Sequence, residues 1–250
     1  MQVNRVFSVA ELATYIDCAA KYRFAYEEAV PGRLPWRRRV ENAVRNTLCA
    51  AVADKSMTIE GAHDKVRSEV EVELCGSDRR LHPVSGDPVD VAVMAVSEWF
   101  RFHQNRTALE PGAAILSVLE SGGESISVAS NCDWFDGDRP RMYLLALGRV
   151  PSKTGLALDP AYGLRALASN CPLVWMVEGY SAGLCRQAVR PVRVRPSMFH
   201  LRRVALWAAK RIVMGDFDRH AHPSLRDTCI DCQFIDECGR FPRPKGKKRG

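Results

Sequence analysis

Three cysteines near the C-terminal end of the chain constrain its fold more than any other feature. Cys229, Cys232 and Cys238 follow one another with two and then five intervening residues. Thiols at this density are typical of a zinc site, an iron–sulfur cluster or disulfides. A tetrahedral site or a four-iron cluster needs a fourth ligand, which this segment does not contain. We therefore expect a distant residue to complete the site and a fold that brings it there.

The remaining cysteines and the absence of long apolar runs predict a soluble, cytoplasmic protein. The chain has nine cysteines, an odd number that cannot all pair within one chain. Four of them stand singly in apolar surroundings: Cys49, Cys75, Cys171 and Cys185. Reduced thiols fit this distribution better than a disulfide scaffold does. No apolar run is long enough for a membrane helix, and the N-terminus lacks a signal-peptide pattern.

Positive charge is concentrated in the last quarter of the chain. The net charge is +7, and residues 186–250 hold 16 Lys/Arg against 6 Asp/Glu. Such asymmetry favours a polyanionic partner, with nucleic acid ahead of a membrane surface, although a solvated basic tail is the alternative. A second cluster places an aromatic beside arginines, and its Trp36 either stacks on a base or fills the core. The residues expected to contact nucleic acid are Trp36, Arg37, Arg38, Arg39, Arg190, Arg193, Arg195, Lys245, Lys247 and Lys248.

The hydrophobic periodicity predicts one α/β domain over residues 1–239, followed by a disordered basic tail over 240–250. Helices are expected in 1–110, a sheet core in 111–196, and a helix with a cysteine cap in 197–239. The N-terminal helix begins with a capping box at Ser8 and Glu11 and is predicted to run to about Tyr26. Strands are predicted at 114–120, 125–130, 141–147, 173–180 and 186–195, and helices at about 38–54, 58–75, 88–104, 161–169 and 197–214.

Both ends of the chain resemble the RecB-like PD-(D/E)XK nucleases. The N-terminal resemblance lies in Phe7-Ser-Val-Ala-Glu-Leu12 and Tyr15-Ile-Asp-Cys18, and the C-terminal one in Gly215-Asp-Phe217 and Cys229-x-x-Cys232-x-Phe234-x-x-x-Cys238. The latter is similar to the cap of the iron–sulfur branch, which includes CRISPR-associated exonucleases and AddB-type helicase–nuclease subunits. The resemblance implies the restriction-endonuclease-like mixed sheet. It also implies a 4Fe–4S cluster held by Cys18, Cys229, Cys232 and Cys238. Zn²⁺ is the alternative occupant, with His220 and His222 as spare ligands.

The catalytic motif that the resemblance implies is incomplete. Glu120 stands where the family has its first Glu, Asp133 where it has the metal-binding Asp, and Lys153 where it has the Lys. The strand at 143–148 carries neither the acid nor the Lys, and Arg45 replaces the metal-binding His of many relatives. One carboxylate is a poor site for Mg²⁺ or Mn²⁺.

We therefore expect a DNA-binding protein with a nuclease fold and an eroded catalytic centre, in recombination, repair, phage or CRISPR-type processing. Its partners would be single-stranded DNA or DNA ends and a protein assembly. Two alternatives stay open at this point. The first is an active metal-dependent exonuclease with a rearranged acidic site that uses, for example, Asp136, Asp138 or Asp159. The second is a redox-responsive iron–sulfur binding module.

Overall fold

A computed structural model describes residues 5–30, 36–74, 87–104, 106–138, 141–147, 159–168, 174–180, 187–192, 198–218, 232–234 and 238. Several predicted site residues lie outside these ranges. They are Lys153, Arg193, Arg195, Cys229, Lys245, Lys247 and Lys248. The side chains of Trp36, Arg37 and Arg190 are likewise not described, although these residues belong to regular elements.

The first half of the chain is helical. A short strand, β1 (Val6–Ser8), leads into α1 (Val9–Asp17), α2 (Ala19–Tyr22) and a π-helical turn (Arg23–Glu27). Three longer helices follow: α3 (Trp36–Ala53), α4 (Ile59–Leu74) and α5 (Pro88–Phe102). They pack on one another through small and branched apolar residues, including Ala43, Val66 and Ala92.

Two sheets fill most of the second half. After a 3₁₀ turn (Arg106–Ala108), the strands are β2 (Leu109–Pro111), β3 (Ala114–Ser121), β4 (Glu124–Asn131), β5 (Trp134–Asp136), β6 (Arg141–Leu147), β7 (Val174–Tyr180) and β8 (Gln187–Val192). Helix α6 (Pro160–Ala168) precedes β7, and α7 (His200–Val213) follows β8. The strand orders are β1-β4-β3 and β2-β5-β6-β7-β8. β6 and β7 run parallel, as do β1 and β4, and the other pairs are antiparallel.

One long bent hairpin joins the two sheets. Its arms run through β2–β3 and β4–β5 and change sheet at Gly112 and at Cys132-Asp133. The Gly112 N–H donates to the Asp133 carbonyl at 3.1 Å. A Cβ at position 112 would lie 2.0 Å from the Cys132 carbonyl oxygen, so only glycine allows this close approach. The bend therefore fixes the position of Asp133.

The five-stranded sheet is covered on both faces. Helices α3, α4 and α5 pack on one face against Trp134, Tyr143 and Leu145. Helix α6 packs on the other face, where Met142, Leu144 and Val177 share a core with α1 and α7, which themselves lie mainly against β3 and β4. Strands buried on both faces read as continuous apolar runs, as β6 does.

Most predicted elements are present within two or three residues of their expected bounds. The capping box forms, because Ser8 Oγ accepts from the Glu11 N–H and Glu11 accepts from the Ser8 N–H. Gly215 ends α7 with φ +70°. The prediction of one unbroken helix to Tyr26 was wrong. Cys18 has extended backbone angles (φ −162°, ψ 112°), which separate α1 from α2. Strands β1, β2 and β5 were not predicted, since three residues are too few for a periodic signal.

Within the described residues, no helix combines the length and the apolar character needed to cross a bilayer.

Candidate functional site

Asp133 lies at the bend of the long hairpin, where β5 begins and the two sheets diverge. Its backbone N–H donates to the Tyr143 carbonyl at 2.9 Å, which continues the ladder between β5 and β6 by one residue. Beyond that point β4 turns into the other sheet, so β6 extends past its partner strand. This leaves a gap beside Leu145 and Leu147, which we call the opening. The Asp133 side chain reaches across this opening, and its Oδ2 accepts from the Leu145 N–H at 2.6 Å.

Helix α3 supplies two further charged side chains to the same opening. Glu41 Oε2 accepts from the Leu147 N–H at 3.3 Å, and Arg45 Nη2 lies 3.4 Å from the Leu145 carbonyl oxygen. The carboxylate oxygens of Asp133 and Glu41 therefore accept the backbone hydrogen bonds of β6 that a neighbouring strand would otherwise accept. Buried backbone donors require such partners.

Arg45 binds both carboxylates. Its Nε lies 3.0 Å from Asp133 Oδ1, and its Nη2 lies 2.9 Å from Glu41 Oε1. The exposed fractions of the three side chains are 29% for Arg45, 14% for Asp133 and 8% for Glu41. Arg38, which is largely exposed, adds a contact of 3.1 Å to Glu41 from the solvent side. The guanidinium is thus the fixed cation between the two acids.

The electrostatics of Arg45 agree with this role. Burial lowers the pKa of the Arg45 guanidinium, but the charges of Asp133 and Glu41 outweigh burial and hold that pKa above its ordinary value. A buried charge is tolerated when it is paired and hydrogen-bonded in this way. Arg45 also donates from Nη1 to Asn42 Oδ1 at 3.0 Å.

Helix α6 brings a second arginine towards the same carboxylate. Burial lowers the pKa of Arg165, while the charges of Tyr162, Asp133 and Asp159 act in the opposite direction. Asp159 caps this helix through its contact with the Ala161 N–H at 2.8 Å. Asp159 Oδ1 therefore has a structural role at the N-terminus of this helix.

The contacts of Asp133 and Glu41 differ from those expected in a two-carboxylate metal centre. Mg²⁺ requires oxygen ligands in near-octahedral geometry, and here Asp133 and Glu41 direct oxygens to a guanidinium and to backbone N–H groups. An arginine cannot lower the pKa of a bound water as a metal ion does. Among the described residues, no three His, Cys, Asp or Glu side chains form a group that could hold a metal ion.

The structure does not bring Glu120 to Asp133. Glu120 is exposed at the tip of the β3–β4 hairpin, opposite Ser125. Asp133 lies eight residues beyond Ser125 on the second arm of the hairpin, which corresponds to roughly 26 Å of extended chain. Of the two expected catalytic residues that the structure describes, Glu120 and Asp133, Asp133 alone lies in the opening, and Lys153 is outside the described residues.

The second carboxylate of the opening, Glu41, was not expected from the sequence. A signal for it exists, because Glu41, Val44 and Leu48 follow the helical spacing of buried positions, and Val44 and Leu48 are fully buried. A glutamate in such a stripe, four residues before an arginine, indicates a buried ion pair. The sequence alone cannot say which strand edge that pair meets.

Three of the four predicted cluster ligands border the same apolar group, but among the described residues they do not form a group of three that could hold a metal ion. Cys18, Cys232 and Cys238 all pack against a small apolar group formed by Ala20, Phe24 and Phe234. Burial raises the pKa of Cys232, and the proximity of Cys18 and Cys238 adds to that effect. The extended conformation of Cys18 at the α1–α2 break places it beside a segment from the opposite end of the chain. Cys229, the fourth predicted ligand, is outside the described residues.

The predicted nucleic-acid contacts are described only in part. Arg38 is exposed and pairs with Glu41, while Arg39 donates to the Glu73 carbonyl at 2.8 Å and so helps join α3 to α4. The side chains of Trp36, Arg37, Arg190, Arg193, Arg195, Lys245, Lys247 and Lys248 are not described. Whether these residues contact nucleic acid stays a prediction.

Comparison with known proteins relates the chain to others through structure alone. No protein-family profile matches it, and no curated protein matches its sequence. Its fold is similar to the crystal structure of a candidate exonuclease from Eubacterium rectale, with a TM-score of 0.52. The two are 11% identical over 89% of this chain and 87% of that one. A similarity to the crystal structure of SSO0001 has a TM-score of 0.44, at 12% identity over 96% of this chain and 88% of that one.

Proposed function

We propose that this chain is a nucleic-acid-binding protein on a nuclease-like fold whose catalytic metal position has been taken over by Arg45. The observation that carries the proposal is the pair of contacts from the Arg45 guanidinium to Asp133 at 3.0 Å and to Glu41 at 2.9 Å. The positive charge of Arg45 binds Asp133 and Glu41, the acids that would bind a divalent metal ion. It does so without activating water, so phosphodiester cleavage loses its nucleophile.

The fold of the candidate exonuclease supports the nuclease-like part of this proposal. The eroded motif supports the loss of cleavage. The apolar side chains of Leu145 and Leu147 point into the core formed with α3, α4 and α5, on the strand expected to carry the family's acid and Lys. The positive charge of residues 186–250 supports a polyanionic partner, for which single-stranded DNA or DNA ends are the proposed form. The resemblance of the two chain ends suggests a role within a recombination, repair, phage or CRISPR-type assembly in the cytoplasm.

We further propose a 4Fe–4S cluster held by Cys18, Cys229, Cys232 and Cys238. The support is that Cys18, Cys232 and Cys238 border one apolar group, and the resemblance supplies all four ligands. Four thiolates fit an iron–sulfur cluster and Zn²⁺ equally well by ligand type. The cluster would fasten the break after α1 to the C-terminal segment. The chain's own residues would contribute the low-polarity surroundings, through Phe24 and Phe234, that shield it from solvent.

Two measurements on anaerobically purified protein test these proposals. Iron and acid-labile sulfide are expected in the wild type and are expected to be lost in Cys232→Ser, whereas the matched control Cys49→Ser keeps them. Zinc in place of iron would overturn the cluster and leave the binding proposal intact. For binding, fluorescence anisotropy with a labelled oligonucleotide should give a dissociation constant that weakens as salt rises. No binding at low salt would overturn the proposed function.

A further inference from the structure

Helix α7 presents a row of alternating aromatic and guanidinium side chains along one ridge. Phe199, Arg203, Trp207 and Arg211 follow one another at intervals of four residues, from the N-cap to the last turn. Residues at this interval lie one above another on a helix, so the ridge extends about 18 Å. Phe199 is 52% exposed and Trp207 38% exposed, and Arg203 is also exposed.

The opposite face of α7 is fully committed to the core. Leu201, Ala205, Ala208 and Ile212 are buried against the sheet and the neighbouring helices. The helix contains no Asp or Glu. It therefore combines a fixed position in the domain with an outer face whose charges are all positive.

Neighbouring residues hold Trp207 in place. The edge of its ring meets Tyr15, with the centroids 5.9 Å apart. The Arg211 guanidinium lies over the same ring, 5.8 Å from its centroid, and is itself held by an ion pair with Asp216. Tyr15 in turn donates to the Asp216 carbonyl at 2.5 Å. Trp207 is thus a pre-organised ring with one part open to solvent, which lowers the entropic cost of stacking a ligand on it.

The N-terminal end of the ridge also pairs an aromatic ring with an arginine. Arg202 lies over the Phe199 ring at 5.5 Å from its centroid. Among the described residues, Lys210 pairs with Glu124 and Arg211 with Asp216, while Arg202 and Arg203 form no ion pair. The uncompensated positive charge therefore lies between the two exposed rings.

We infer that this ridge, formed by Phe199, Arg203, Trp207 and Arg211, binds single-stranded nucleic acid by base stacking on the two rings and phosphate contact at Arg203. The inference rests on the proposed nucleic-acid-binding function and names the surface and the form of the ligand. Aromatic rings alternating with cations are the means by which proteins bind single strands without sequence preference. A duplex hides its base faces in the stack and offers the ridge only phosphates. A membrane surface would require an apolar helix face, and that face of α7 is buried.

Fluorescence anisotropy of the full chain with a labelled oligothymidylate and with a duplex tests this inference. Trp207→Ala and Phe199→Ala should each weaken oligothymidylate binding by roughly five- to hundredfold, which is the range found for stacked bases. Phe102→Ala is the matched control, since Phe102 is also half exposed and lies under Arg101 at 4.9 Å, but on α5. It should leave binding unchanged. Arg203→Ala should reduce the dependence of log K on log salt by about 0.7, and the control Arg67→Ala on α4 should not.

The outcomes separate this inference from the proposed function. Wild-type protein that binds neither probe overturns both. Binding of oligothymidylate that survives Phe199→Ala and Trp207→Ala overturns the ridge alone, as does a duplex affinity equal to or above that of the single strand. Phe199→Ala keeps the test valid if Trp207→Ala fails to fold, because Phe199 is more exposed and lies at the end of the helix. Ridge-dependent binding to anionic vesicles without oligothymidylate binding would identify a membrane surface and overturn the inference.

Discussion

The Leu145 N–H donates to Asp133 Oδ2 at 2.6 Å, so the carboxylate expected to bind a metal ion completes a strand edge. The other oxygen of that carboxylate, Oδ1, meets Arg45 at 3.0 Å. With one oxygen bound to the backbone and the other to a guanidinium, Asp133 has a structural role in the bend of the hairpin. Its removal should therefore affect stability before it affects any chemistry.

Asp133→Ala should lower the free energy of unfolding by about 3 kcal/mol, because it leaves a largely buried guanidinium and a strand N–H without their partner. Urea denaturation measures this. Asp64→Ala is the control, since Asp64 pairs with Arg67 on the exposed face of α4 and should cost less than about 1 kcal/mol. Equal losses of unfolding free energy in Asp133→Ala and Asp64→Ala would contradict a structural role for Asp133.

Gly112→Ala should destabilise the protein by about 2 kcal/mol or more, because its Cβ would lie 2.0 Å from the Cys132 carbonyl oxygen and 2.7 Å from that of Asp133. Both neighbours are backbone atoms, so the hairpin itself must move. Gly61→Ala serves as the comparison, since its nearest neighbour is at 3.5 Å and alanine favours the helix by up to about 1 kcal/mol. In thermal unfolding, Gly112→Ala should lower the midpoint temperature and Gly61→Ala should raise it. A neutral Gly112→Ala would mean that the bend is looser than described.

His103 and Glu178 form a second buried polar pair, on the face of the large sheet that α3, α4 and α5 cover. His103 Nε2 lies 2.8 Å from Glu178 Oε1, and Tyr180 donates to the same oxygen at 2.5 Å. Glu178 has no exposed surface. His103→Ala should cost about 3 kcal/mol by leaving a buried carboxylate without its imidazole, and Tyr180→Phe about 1 kcal/mol. Arg101→Ala, which breaks an exposed pair with Glu98, should be close to neutral. Urea denaturation of the three variants should preserve that order.

Cys49 should resist alkylation until strongly alkaline pH. Burial raises the pKa of its thiol to about 11, and the charge of Asp133 adds to the effect. The folded state therefore favours the neutral thiol. Its contribution to stability is fully present below about pH 8.5, the ordinary value, and is lost as pH rises through 11. Mass spectrometry of the Cys49 peptide after timed iodoacetamide treatment should place the midpoint of the reaction near pH 11. A midpoint at the ordinary value would show an exposed thiol.

Much of the fold follows from the sequence, and the composition of the opening follows only in part. The capping box at Ser8, the glycine after α7 and the strands β3 and β4 are local signals, so they were predicted with nearly their observed bounds. The break at Cys18 has no such signal, since its extended conformation depends on contacts with the far end of the chain. Asp133 was identified from the resemblance to the nuclease family, whose metal-binding Asp stands at this position. Glu41 joins it through tertiary packing of α3 on β6, which no spacing along the chain encodes.

Glu120 shows why position in a motif is a weaker guide than strand register. It occupies the expected place in the order of residues, but the hairpin continues past the opening to a tip at Gly122 and Gly123, where both φ values are positive. Because the hairpin is long, Glu120 is carried to that tip. The carboxylate that meets Arg45 opposite Asp133 comes instead from a helix.

The most direct test of Arg45 as the cation of this opening is degradation of DNA by the full chain in Mg²⁺ or Mn²⁺. Single-stranded and double-stranded substrates would be incubated with purified protein, and the products separated on a denaturing gel. We expect intact DNA with both metals, in a sample that retards the single strand on a native gel. Degradation by the wild type that is abolished by Asp133→Asn and by Glu41→Gln, with both variants folded, would contradict it.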